Sequence, residues 1–413
     1  MNRPASRALA AILVLVVAAV LLTGCASVAT TTTFVPGALP LASPAPGTPG
    51  GAAPPQHGWP QALRDARRSG TSTSRGPSRG TIRWQRTLNG PVVPGPIVGP
   101  DGTVYAADGA GVLHALDPHT GAQLWSLDTR SGYGDDLTTS PALLGDGTIV
   151  WPGGGLKVYG VSPHGRLLWT IQRRGIPFSP AVVSADAFYL MDSSGRLAAF
   201  RVDSGRPVLR WDLDLGGRSY GSPAVAPDGS IRATVDNAVV AVRDLGDRGE
   251  RVWSADTGDL VEVSPAVASD GTTLVGSNNS LLVALDQSGH QRWSVDLGSA
   301  PYSSPVADAQ GDAWIGTNDG ALVGVDIATG HVLRRLDLSS THGGRSGIWS
   351  SPLVDSGGTV YAGLLDGTVV GVDPSGGVVV SVDTGTQIFS TGALTDDGAL
   401  IVGNEAGVLT AID

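Results

Sequence analysis

From about residue 81 to its end, the chain alternates short apolar runs with polar turns. Between Pro96 and Asp128 the runs are PIV, TVYAA, VLHALD and QLWSLD, separated by GPDG, DGAG and PHTG. Runs rich in Val, Leu, Ile and aromatics, broken at close intervals by Asp and Gly, predict antiparallel strands joined by hairpins. No stretch of this region holds a helical period, so strand, turn, strand, turn is the expected local structure throughout.

The pattern repeats. Each unit opens on a dipeptide: Gly95-Pro96, Ser140-Pro141, Ser179-Pro180, Ser222-Pro223, Ser264-Pro265, Ser304-Pro305, Ser351-Pro352 and the variant Thr391-Gly392. A turn signal follows at a fixed offset, such as Asp101-Gly102, Asp146-Gly147, Asp228-Gly229, Asp270-Gly271 and Asp397-Gly398. Successive prolines are 45, 39, 43, 42, 40 and 47 residues apart, and Gly392 follows 40 later. Four strands per unit at a period near 40 predict an all-β, eight-bladed β-propeller. The last unit stops at VLTAID, one strand short. TIRWQRTL, residues 81–88, has the character of the missing strand. It is expected to complete the last blade and close the ring, which removes an exposed sheet edge.

ALDPHTGAQLW, residues 115–125, resembles the tryptophan-docking repeat of the PQQ-type propellers, the quinoprotein dehydrogenase-like superfamily. Ala115, Asp117, Thr120, Gly121 and Trp125 carry the match, and the resemblance extends over residues 81–413. It implies that Trp84, Trp125, Trp169, Trp211, Trp253 and Trp293 each pack on the neighbouring blade. Arg334 and Val380 stand at the Trp position in two blades, where weaker junctions are expected. On this reading the most distinctive motif is structural: a lone four-stranded sheet cannot bury both faces, and repetition covers each blade with the next.

Ahead of the repeats lie two segments of different character. Arg3 and Arg7 precede a short apolar run, residues 8–22, which ends in Leu22-Thr23-Gly24-Cys25. The run is short for a membrane span and reads as an export signal, residues 1–24. Its ending resembles the lipobox of bacterial lipoproteins, which implies cleavage before Cys25 and lipidation of that residue. Cys25 is the sole cysteine, so no disulfide or cysteine-based metal site is available. Residues 26–80 are rich in Thr, Ala, Pro, Gly and Ser and poor in apolar residues. Such a composition offers too little burial to offset chain entropy and predicts a disordered tether. QALRDARRSG within it has the makings of a helical turn or two at most.

The formal charge of −10, with the tether basic, makes the folded part acidic. That argues against nucleic acid and against adsorption to anionic lipid. Candidate chemistry is sparse. His57, His114, His119, His164, His290, His331 and His342 are scattered without metal-ligand spacing, and Asp135-Asp136 is an isolated acidic pair. The superfamily resemblance brings a quinone cofactor into question. Quinoproteins of this fold carry calcium ligands, a catalytic Asp and often an adjacent Cys pair, and this chain has no Cys pair and no haem-attachment motif. We expect no catalytic residue, no cofactor and no metal.

The segments before each opening dipeptide all cross one face of a propeller. They carry Tyr133, Arg173, Arg174, Phe178, Arg218, Tyr220, Tyr302, Arg345, Trp349 and Phe389. Aromatic and Arg residues gathered on loops have the composition of a protein-binding surface; the competing reading is that several fill the channel mouth. Trp349 and Arg345 are the foremost candidates, because the spacing from Pro305 to Pro352 is the longest.

An exported, lipid-anchored propeller of this size resembles the BamB-type lipoproteins. That resemblance implies a non-catalytic scaffold of outer-membrane β-barrel assembly with envelope proteins as partners; the ring is expected to be monomeric and lipid-anchored on the periplasmic or extracellular face of a membrane. Two rival classes stay open: a PQQ-dependent dehydrogenase, and a sensor that binds a small ligand in the central channel. The long tether and lysine-poor composition also suit an envelope with a single membrane.

Overall fold

The computed structural model describes residues 57–129, 139–185, 187–339 and 347–413, all within one compact unit, Pro49–Asp413. Cys25, the export signal and the first part of the expected tether lie outside the described residues. Among the described residues there is no helix, and the strands form eight antiparallel sheets of four. The chain folds as the eight-bladed β-propeller its repeats predict.

Blade 1 comprises Ile97–Val98, Val104–Ala107, Val112–Leu116 and Gln123–Asp128, running from the channel outward. Blades 2 to 7 repeat this order. The three inner strands are buried almost throughout, while the outer strand of blade 1 is mostly exposed. The core therefore lies between blades, where one apolar face packs on the next. Blade 8 has Ala393–Leu394, Leu400–Gly403 and Val408–Ile412, and its fourth strand is Ile82–Thr87. Trp84 stands opposite Ala411, and Thr87 opposite Val408. Thr81 and Asp413 exchange backbone hydrogen bonds of 2.9 and 2.7 Å. Arg83 reaches Asp413 at 2.6 Å and Asp397 at 2.8 Å, tying the same seam from its outer side.

The six tryptophans sit on the outer strands. Each stands opposite a small residue of the third strand: Trp125 faces Ala115, Trp169 Gly160, Trp211 Ala199, Trp253 Ala241, Trp293 Ala284 and Trp84 Ala411. The indole lies over that position, and a Cβ on Gly160 would sit 1.9 Å from the Trp169 ring. Most indoles then reach the turn between the third and fourth strands of the next blade. Trp84 donates its Nε1 hydrogen to Pro118 O at 2.8 Å, Trp125 to Pro163 O at 2.7 Å, Trp253 to Gln287 O at 2.9 Å and Trp293 to Ile327 O at 2.9 Å. Trp211 donates to the Asp244 carboxylate at 2.8 Å. Trp169 is the exception: its Nε1 is buried without a partner, and its ring stacks on Phe188 at 6.2 Å. The glycine of the receiving turn is required. Gly121 has φ +67°, and a Cβ there would lie 2.7 Å from the Trp84 ring.

The turn aspartates explain the rest of the motif. The Asp117 carboxylate accepts hydrogen bonds from the Thr120 hydroxyl at 2.8 Å and from the backbone N–H of Thr120 and His119. The Thr120 hydroxyl and these amides hold it below the usual carboxylate range. Asp326 and Thr329 repeat the arrangement in blade 6.

Blades 6 and 7 lack the outer tryptophan, yet the small residue is still covered. A Cβ on Gly324 would meet the Trp314 ring at 2.8 Å, and one on Gly371 would meet the Tyr361 ring at 2.8 Å. Both aromatics come from the second strand, at the position that Tyr105 and Tyr189 hold beside the outer tryptophan in blades 1 and 3.

The tether expectation fails over residues 57–80, which are packed into the propeller. Residues 58–70 form a strap that coils round the channel wall and meets the inner strands in order. Val98 donates its N–H to Trp59 O at 2.9 Å, Leu143 to Pro60 O at 2.8 Å, and Val183 to Gln61 Oε1 at 2.9 Å. Val225 donates to Ala66 O at 2.7 Å, Val267 to Arg67 O at 2.9 Å, Ala307 to Ser69 O at 3.2 Å and Val354 to Gly70 O at 2.8 Å. The Gly58 N–H points at the Asp396 carboxylate of blade 8. The physical reason is the channel itself. Each inner strand is a sheet edge with unpaired N–H groups aimed at the axis, and the strap supplies acceptors for them. Trp59 and Leu63 are fully buried in the same core as Val98 and Val354.

Candidate partner-binding face

In an antiparallel four-stranded blade, the turns between strands one and two and between three and four lie on one face. The connections from each outer strand to the next inner strand lie on the other. The strap bonds next to the first of these turns, through Val98, Val354 and Asp396. The interblade connections are therefore at the opposite end of the channel.

On that opposite face three aromatics gather. They occupy equivalent positions in consecutive repeats, three residues before Pro305, Pro352 and Gly392. Tyr302 and Trp349 have ring centroids 4.9 Å apart, and Trp349 and Phe389 5.5 Å. All three are half-buried. Trp349 is fixed by donating Nε1–H to Asn318 Oδ1 at 2.9 Å. Burial, reinforced by the Glu262 carboxylate, pushes the Tyr302 phenol above its ordinary pKa, so it remains a neutral donor. Val93, at the corresponding position before blade 1, is exposed and extends the apolar arc. A second pair, Phe178 and Tyr220, stands at 6.4 Å.

The arginines divide differently. Arg174 and Arg218 are exposed on this face. Arg173 is not available to a partner: it is only 6% exposed and holds Asp192 at 3.1 Å and Asp212 at 3.0 Å. Its guanidinium neutralises carboxylates inside blade 3, which the composition of the loop did not reveal. Tyr133 and Arg345 lie outside the described residues. His114, by contrast, is buried, with Nε2 2.8 Å from Asp108 and Nδ1 3.2 Å from Gln123. It is a buried group with both ring nitrogens partnered.

Sequence reasoning missed the strap. Its signals were Trp59 and Leu63, large apolar residues in a segment otherwise written in small and polar ones.

A propeller with an apolar arc on one face and repeats of the tryptophan-docking type can be set against known proteins. The family model described as outer membrane protein assembly factor BamB matches residues 70–244 and again 235–413. The chain belongs to this family. The BamB protein of Shewanella oneidensis is 29% identical over 153 residues, 34% of this chain and 39% of the relative. That of Burkholderia pseudomallei is 32% identical over 104 residues, 25% of this chain and 26% of the relative. The alignments thus span well under half the length of these curated relatives. Among solved structures, BamB from Moraxella catarrhalis superposes with a TM-score of 0.62 at 16% identity, over 81% of this chain and 99% of that one. Quinohemoprotein alcohol dehydrogenase from Comamonas testosteroni gives 0.69 at 13% identity, over 86% and 80%. At these identities the superpositions establish the shared fold and nothing finer.

Proposed function

We propose that this chain is a non-catalytic, lipid-anchored scaffold of the cell envelope that takes part in outer-membrane protein assembly. The observation that carries the reading is family membership across nearly all of the propeller. The aromatic arc Tyr302, Trp349 and Phe389, on the same face as the exposed Arg174 and Arg218, is the surface we assign to the partner protein. Large, rigid rings backed by a β-scaffold supply contact area at low entropic cost, and such residues dominate binding energy at protein interfaces. Lipidation of Cys25 would hold the ring at the membrane where the partner works.

The residues do not fit a quinone cofactor in the channel. The strap satisfies the wall's hydrogen-bond donors there. Among the described residues no three His, Cys, Asp or Glu side chains converge to hold a metal ion. The same strap opposes the reading in which the channel holds a small ligand.

The test is affinity purification of the full lipoprotein from gently solubilised membranes of its own host. We expect outer-membrane barrel-assembly proteins in the eluate. Their recovery should fall about tenfold or more in a Tyr302→Ala, Trp349→Ala double variant, as loss of central aromatic anchors costs on the order of 2 kcal/mol or more. Unchanged recovery would remove the arc from the interface, and an eluate free of such proteins would remove the assembly role.

A further inference from the structure

Seven of the eight inner strands turn an N–H inward that an oxygen of the strap meets: Val98, Leu143, Val183, Val225, Val267, Ala307 and Val354. Six of those oxygens are backbone carbonyls. Any polypeptide in the right path offers the same array, so the wall recognises peptide geometry more than side-chain identity. Identity enters at three places: the fully buried Trp59 and Leu63, and Gln61, whose buried side-chain amide bonds the Val183 backbone both ways.

The strap is also held at a cost. Leu63, Arg64 and Arg68 have φ values of 57°, 76° and 60°, a region that L-residues visit rarely. Arg68 is 5% exposed, and its Nε and Nη1 have no hydrogen-bond partner. The Trp59 Nε1 is buried without one as well. A buried guanidinium left partly unpaired opposes docking. Good backbone complementarity set against local strain and a buried guanidinium with two unmet donors describes a bound segment that opens more readily than the blades around it.

We propose that the channel is a binding site for an extended peptide, occupied in cis by residues 57–78, and that this strap exchanges with a peptide supplied in trans. The site accepts a chain that coils along the inner strands, presents carbonyls to their N–H groups and seats an aromatic residue at the Trp59 position. This inference stands apart from the scaffold reading, since the aromatic arc lies at the other end of the channel.

The experiment uses the full chain with a protease site inserted between Ser78 and Arg79, both exposed. After cutting, we expect the N-terminal fragment to stay with the propeller through gel filtration. An excess of a fluorescent synthetic peptide of residues 57–78 should then replace it saturably, while a scrambled peptide should not. The Trp59→Ala peptide should bind at least about tenfold more weakly, and the Arg68→Met peptide about tenfold more tightly, because the buried, incompletely bonded guanidinium is gone. Failure of the labelled peptide to exchange, or equal binding of all four peptides, would overturn the proposal. If cutting unfolds the ring, hydrogen exchange on the uncut chain decides. The amides of Val98, Leu143, Val225 and Val267 should then exchange well ahead of Leu113 and Val158 in the third strands. Equal protection would overturn it.

Discussion

Deleting residues 82–87 from the full chain is expected to abolish its single cooperative unfolding transition. The strand pairs Ile82–Thr87 with Val408–Ile412, so its loss exposes the edge of the last blade. It also removes Trp84, whose indole covers Gly121 and bonds Pro118 in blade 1, and Arg83, which holds Asp397 and Asp413. Burying an indole removes roughly 150–250 Å² from water, worth on the order of 4–6 kcal/mol at about 25 cal/mol per Å². The strand ladder comes in addition. Net stabilities of folded domains are only about 5–15 kcal/mol, so a ring opened at this seam should melt broadly and aggregate through its free edge. Urea unfolding followed by circular dichroism and by tryptophan fluorescence checks this. A sharp, coincident transition at the original midpoint would show that the ring closes elsewhere.

The second large effect is expected at Trp59. Trp59→Ala should cost roughly 3–5 kcal/mol, the range for truncating a buried aromatic. The site cannot collapse easily, because the ring lies against the wall of the channel in the core shared by Val98 and Leu63. Trp59→Phe should cost much less, under about 1.5 kcal/mol. It keeps most of the packing and removes an indole N–H that has no partner. Denaturant midpoints of the two variants measure the difference. Equal, small shifts for both would mean that the strap adds little to the stability of the ring.

These two predictions mark where the sequence could and could not be read. The blades were legible because hairpin turns need particular chemistry. Gly121 must take a positive φ, and Asp117 must accept the turn's N–H groups, so both recur at fixed positions. Closure was legible because the last repeat is one strand short and the first strand has no repeat of its own. The cover that Trp314 and Tyr361 give Gly324 and Gly371 in blades 6 and 7 was not, since those rings come from the second strand and not the outer one. The strap was hidden for a different reason. A Pro- and Gly-rich segment cannot bury itself, but it can be buried by a wall that bonds mostly to its carbonyls, and every residue type has one. Arg173 was misplaced because its partners, Asp192 and Asp212, come from the next blade and leave no local mark. Tyr302, Trp349 and Phe389 were legible as loop aromatics, and the equivalence of their positions explains why they meet in one arc.

The most direct test of the account is a photocrosslinking amino acid placed at residue 349 of the full lipoprotein in living cells of its host. The control places it at Asp228, an exposed turn residue on the strap-bearing face. Crosslinks from position 349, and none from position 228, to a protein of outer-membrane barrel assembly are the predicted result. Equal crosslinking from both positions, or crosslinks from neither, would contradict a scaffold that works through its aromatic arc.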